Sequence, residues 1–143
     1  MKIGIASDHA GYSVKQRIIA ELKYDFIDYG TDSLESVDYP DFALKLGKDI
    51  GKQIDIGILI CKTGIGMSIA CNKIKGIRCA KVDNEIEAKL TREHNDANVM
   101  AISADKNFEE IKKIIEIFIN TPFSNEERHI RRINKIKEIE NEY

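Results

Sequence analysis

A chain of 143 residues with a formal net charge of −2 and a pI near 6.0 has the size of one domain, enough to bury roughly two-thirds of its unfolded surface in a single core. The near-neutral balance, with no basic block interleaved with aromatics, offers no general attraction to nucleic acid or acidic membranes. No apolar run approaches the ~18 residues of a membrane span, and the chain starts on the strand-like Lys2-Ile3-Gly4-Ile5-Ala6; no signal peptide or membrane segment is expected, and a cytoplasmic location is.

Residues 2 to 6 predict a first strand, and Ser7-Asp8-His9-Ala10-Gly11 a polar loop opening a helix with Val14, Ile18, Ile19 and Leu22 at helical spacing. Asp25 to Tyr29 read as a second strand closed by Gly30. A loop rich in acidic and hydroxyl residues follows to Asp41, with Pro40 near its end, and then a helix from about Phe42 to Gly51. Ile58 to Ile60 are a short apolar run, the pattern of a strand buried on both faces of a parallel sheet. It stops at Cys61. Gly64 and Gly66 let the chain turn into a helix from about Met67 to Lys75, where Gly76 supplies a stop. Ile77 to Val82 predict the fourth strand, Asn84 to Glu93 a polar helix, Val99 to Ile102 the fifth strand, and 107 to 120 a helix with Phe108, Ile111, Ile115, Phe118 and Ile119 on one face. Strands alternate with helices throughout, which predicts a doubly wound three-layer α-β-α sandwich around a five-stranded parallel sheet, in strand order 2-1-3-4-5.

The last stretch differs. Ser124-Asn125-Glu126-Glu127 read as a helix cap before a charged helix. Its Ile130, Ile133, Ile136 and Ile139 recur every third residue, a stripe that winds round the helix and suits a neighbouring subunit. Arg128 and Arg132, four apart, share one helical face.

The chemistry concentrates at residues 57 to 72. Cysteine is among the most often buried residue types, and its ordinary reading is a small hydrophobe. At the carboxyl end of a central strand, facing the free amides of a helix start, Cys61 instead has the setting that favours a thiolate, and those amides suit a phosphate or a developing oxyanion. Three familiar loops fail on one residue each: a dinucleotide fingerprint on Ile69 in place of its third glycine, a cysteine phosphatase on Met67 in place of its phosphate-gripping arginine, and a Walker loop on Met67-Ser68. What remains, with Thr63, is proton abstraction beside an oxyanion. Asp8 and His9, Asp83 and Ser103 fall on the same edge of the predicted sheet. His94 and Asn95 fall on the other, so either another subunit brings His94 to the loop, or the segment before the fifth strand reaches it. Cys71 and Cys79 fit the core; with Cys61 they lack metal-ligand spacing and are expected to stay thiols in a reducing compartment.

Ser7-Asp8-His9-Ala10-Gly11, Asp38-Tyr39-Pro40, Ile58 to Cys61 with Thr63-Gly64-Ile65-Gly66, Gly76-Ile77-Arg78, Glu93-His94-Asn95 with Ala97-Asn98-Val99, and Arg128-His129 with Arg132 closely resemble the ribose-5-phosphate isomerase B family, which includes the galactose-6-phosphate isomerase subunits. The resemblance runs from residue 2 to about residue 140. It implies a Rossmann-like homodimer, sometimes paired into a tetramer, with active sites between subunits. It also implies aldose-ketose isomerisation of ribose 5-phosphate and ribulose 5-phosphate through a cis-enediolate, without metal or cofactor. Carried over, Cys61 is the base, Thr63 assists at the oxygens, and the amides of Gly64, Ile65 and Gly66 stabilise the enediolate. His94 opens the sugar ring beside Asp8 and Asn95, Tyr39 lines the pocket, and His9, Arg128 and Arg132 hold the phosphate. Three places depart from the family pattern: Lys62 for a usual glycine, Ser103-Ala104-Asp105 for glycine-any-arginine, and an acidic turn from Ser124 to Glu127. These bear on phosphate binding and sugar preference. The alternatives are a six-carbon substrate, galactose 6-phosphate or allose 6-phosphate, and a catalytically silent sugar-phosphate-binding subunit.

Overall fold

A computed structural model describes residues 1–143. The elements run β1 (Lys2–Ser7), α1 (Tyr12–Glu21), β2 (Asp25–Asp28), α2 (Tyr39–Gly47), β3 (Ile56–Cys61), α3 (Ile65–Cys71), β4 (Cys79–Lys81), α4 (Glu85–Asn95), β5 (Val99–Ser103), α5 (Phe108–Asn120) and α6 (Glu127–Glu142). All strand pairs are parallel. The sandwich has the expected three layers, and no helix is long and apolar enough to cross a membrane.

Alternation along the strands divides the core between the two faces. Ile3, Ile5, Ile56, Ile58, Ile60, Met100 and Ile102 pack with Ile18 of α1, Ala88 of α4, and Ile111, Ile115 and Phe118 of α5. On the opposite face Ala6, Leu59, Cys61 and Ala101 meet Leu46 of α2 and Met67 and Cys71 of α3. Gly57 belongs to this second face: a Cβ there would lie 2.4 Å from Leu46, so the missing side chain sets how closely α2 approaches β3. Under α1 the fully buried Lys15 ammonium is held by both Asp28 carboxylate oxygens at 2.7 and 2.8 Å, which ties α1 to the end of β2.

The sheet order is β2-β1-β3-β5-β4, not the sequential 2-1-3-4-5. The reason lies in the two strands that exchange places. Val99 to Ile102 are wholly buried and need a neighbour on each side, whereas the three residues of β4 are only half-buried and pair with β5 alone. The more apolar strand takes the interior and the short one the edge. Order still reverses between β1 and β3, and their carboxyl ends open the crevice where ligands bind in sheets of this kind.

Some boundaries also differ from expectation. Pro40 does not close a loop but sits in the first turn of α2, where its absent N–H costs nothing, so the helix starts earlier and ends at Gly47. At α3 the helix ends at Cys71 because Asn72 turns its amide group to the start of β4, donating to Cys79 O and accepting from Cys79 N, each at 2.8 Å. The α6 cap residue is Glu126, with no side-chain cap. Ile133 of α6 is buried but Ile136 and Ile139 are exposed, and Glu140 accepts from Gly76 N at 2.8 Å. The helix therefore lies over its own chain and leaves part of its isoleucine stripe open along a cavity of about 730 Å³.

Candidate active site

Cys61 ends β3 with its side chain on the α2 and α3 face, 5% exposed. Gly64, with φ 80°, turns the chain so that its own N–H donates to Cys61 Sγ at 3.2 Å. An amide aimed at the sulfur stabilises negative charge there. Ile65 N donates to Thr63 Oγ1 at 3.1 Å. Two of the three amides expected to face an oxyanion are thus turned to neighbouring side chains, while that of Gly66, in the first turn of α3, has no partner within the chain. The opposite strand holds the loop in place, since Ala104 N donates to Cys61 O at 2.9 Å and Ser103 Oγ to Lys62 O at 2.6 Å.

Across the crevice Asp8, 7% exposed, accepts from Gly11 N at 3.0 Å. Gly11 is where helix α1 meets β3: a Cβ there would come 2.4 Å from Ile60 O. Val37 N donates to His9 Nδ1 at 3.2 Å, which fixes the neutral ring's proton on Nε2 and leaves that N–H free as a donor. Tyr39 stands over the central loop, and a Cβ on Gly66 would lie 2.7 Å from its ring. Asp8, His9, Tyr39, Cys61, Thr63 and residues 64 to 66 are therefore brought to one crevice, at the carboxyl ends of β1 and β3.

His94, Asn95, Arg128 and Arg132 are not there. Helix α4 runs regularly to Asn95 and ends on Asp96 in the left-handed conformation, so no irregular segment carries His94 to Cys61. It stays at the amino edge, a strand length away, on the order of 15 Å. There its ring lies against His129, centroids 4.3 Å apart and planes 15° from parallel. Arg128, 3.3 Å from Glu126, and Arg132 are exposed on the same helix as His129. Asn95 is exposed, and its carbonyl accepts from Arg78 Nε at 3.0 Å. His129 belongs to the motif that carries the resemblance, but the resemblance assigns it no chemical role. The stack depends on α6 crossing α4, some 35 positions apart in the chain, and nothing local signals it beyond the adjoining arginines.

Lys62 and Asp105, two of the departures, form an exposed ion pair at 3.6 Å beside the loop, weak in itself. Cys79 is the neighbour of Cys71 in the core; a hydrogen bond to that thiol and burial push its own thiol far up, which leaves Cys79 inert.

The model of the ribose/galactose isomerase family matches residues 3–136. Ribose-5-phosphate isomerase B of Escherichia coli is 39% identical over 144 residues, 97% of this chain and 96% of that one. Among solved structures, ribose-5-phosphate isomerase B of Clostridium thermocellum superposes with a TM-score of 0.96 at 45% identity, covering 100% of this chain and 99% of that one. The enzyme of the same name from Mycoplasma genitalium, with bound ribulose-5-phosphate, gives a TM-score of 0.93 at 39% identity, covering 99% and 97%. With near-complete coverage in sequence and in structure, the chain belongs to the ribose/galactose isomerase family.

Proposed function

We propose that this isomerase interconverts ribose 5-phosphate and ribulose 5-phosphate, at sites completed by a second copy of the chain in a homodimer or a pair of dimers, and without a cofactor. Ring opening breaks C1–O4: the electron pair goes to O4, which takes a proton from His94, and O1 gives its proton to water as the aldehyde forms. The Cys61 thiolate then removes the proton on C2, and the charge that develops on O1 is held by the free amide of Gly66, while the Gly64 amide stays on the sulfur. Thr63 relays the proton from O2 to O1. The Cys61 thiol returns its proton to C1, giving the ketose. Asp8, Tyr39 and Asn95 line the sugar; His9, through Nε2–H, and Arg128 and Arg132 hold the phosphate dianion.

The observation that carries this reading is the Gly64 amide directed at Cys61 Sγ, within the crevice that also holds Asp8, His9 and Tyr39. The test is turnover of ribose 5-phosphate by the purified protein, with galactose 6-phosphate and allose 6-phosphate alongside. Cys61→Ala is expected to keep the circular dichroism of the parent and to lower pentose turnover by about 10³-fold or more, the scale of a lost general base. Substantial turnover by the variant removes Cys61 as the base. Preference for a hexose phosphate moves the substrate within the family, and binding without turnover of any sugar marks a silent subunit.

A further inference from the structure

The cluster at the amino edge contains a residue that the proposed chemistry does not use. His129 is 4% exposed, and its Nε2 has no hydrogen-bond partner; Glu126 Oε2 is 3.2 Å away but out of line. A buried imidazole nitrogen left unpaired costs free energy that an apolar side chain of similar bulk would avoid. What the imidazole does offer is a flat face, and that face is taken by His94 at 4.3 Å. The junction around the stack is firmly tied: Arg92 Nε donates to Thr121 O at 3.0 Å, Ser124 N to Glu93 O at 3.3 Å, and His129 N to Glu126 O at 2.9 Å. These hydrogen bonds, one from a side chain and two from the backbone, hold the end of α4 against the start of α6, the two segments that carry the rings.

We infer that His129 is a positioning residue for His94: its buried ring is the surface on which the His94 imidazole lies flat, so that the ring-opening acid presents its edge at one fixed angle beside Arg128 and Arg132. The inference rests on the reading of His94 as the ring-opening acid. Burial first, then the charges of His94, Arg128 and Arg132, push the His129 titration down against the opposing pull of Glu126. An uncharged ring lies comfortably under an imidazolium, whereas a second cation would push it away.

Ring opening can be read apart from isomerisation. In a Cys61→Ala background, exchange between the α and β anomers of ribose 5-phosphate, followed by magnetisation-transfer NMR at saturating substrate, reports the opening step alone. His94→Ala sets the floor. His129→Leu, which keeps bulk without a flat face, is expected to slow exchange about tenfold or more, because a tilted acid loses the near-attack geometry. His129→Phe is expected to stay within about threefold of the parent, since the flat face is retained. In otherwise intact protein Leu should lower kcat for ribose 5-phosphate much more than it changes KM. His129→Gln, long and ringless, replaces Leu should that variant fail to fold. Unchanged exchange with Leu or Gln overturns the inference; so does an effect on KM alone, which would make His129 a phosphate contact, and so does a Phe variant as slow as Leu. If His94→Ala itself leaves exchange untouched, the acid is not His94, and the underlying reading falls together with this inference.

Discussion

At Gly64 the backbone has φ 80°, and a Cβ would come 2.9 Å from the carbonyl carbon of Ile102. The residue therefore combines a left-handed conformation with close approach to β5, and its N–H is the donor to Cys61 Sγ. Gly51 has nearly the same φ, 79°, but open space where a Cβ would go. The pair separates backbone strain from site geometry. Gly51→Ala should cost about 1 kcal/mol, the ordinary penalty for an L residue at positive φ, and leave kinetics alone. Gly64→Ala adds a backbone collision that no side-chain rotation relieves, and should cost about 2–3 kcal/mol while lowering kcat by more than tenfold. Thermal melts and steady-state kinetics on the two variants check both statements. Equal effects on kcat would mean that the Gly64 turn does not serve the thiol.

Among the elements, the contact of α4 with α6 carries a pH dependence. Folding keeps the His129 ring neutral below its ordinary value of 6.5, while the unfolded chain takes up a proton there. Below that pH the unfolded state binds more protons, so stability falls as pH falls, until the folded ring is protonated as well. Denaturant unfolding between about pH 5 and pH 8 should show this loss, and His129→Phe should flatten it. Identical slopes in parent and variant would place the acid sensitivity elsewhere. This contact also marks where reading a sequence stops. Local periodicity was enough for all five strands and six helices, and turn chemistry was enough for the loop after Cys61. The end of α4 and the start of α6 meet because α5 returns the chain across the sheet, and no short-range pattern encodes which residues then touch. The same holds for the exchange of β4 and β5. Each was recognisable as a strand, and only their relative burial, Ile102 inside and Lys81 at the rim, decides which of them lies next to β3.

For the whole molecule the topology sets a condition on the proposed site. A parallel sheet puts the ends of β1 and β3 at one edge and the entry to β5 at the other, so Cys61 and His94 of one chain are kept apart by the length of the neighbouring strands β3 and β5. That separation was legible in the sequence, because helix and strand order fixed the edge on which each residue falls. A second copy that closes the gap leaves one trace in the sequence, the isoleucine stripe of α6, whose Ile136 and Ile139 are exposed in the single chain; which residues it would bring together is not encoded there. Complementation tests it directly. One variant carries Cys61→Ala; the other carries His94→Asn with Arg132→Ala. Each alone should be nearly inactive. If every site joins Cys61 of one chain to His94 and Arg132 of its partner, a mixed dimer has one site with all the defects and one site with none. Unfolding and refolding the two in equal amounts makes about half of all dimers mixed, each with one of its two sites intact, and so restores about a quarter of parental turnover. A site built within a single chain would restore nothing, because every chain in the mixture carries a defect of its own.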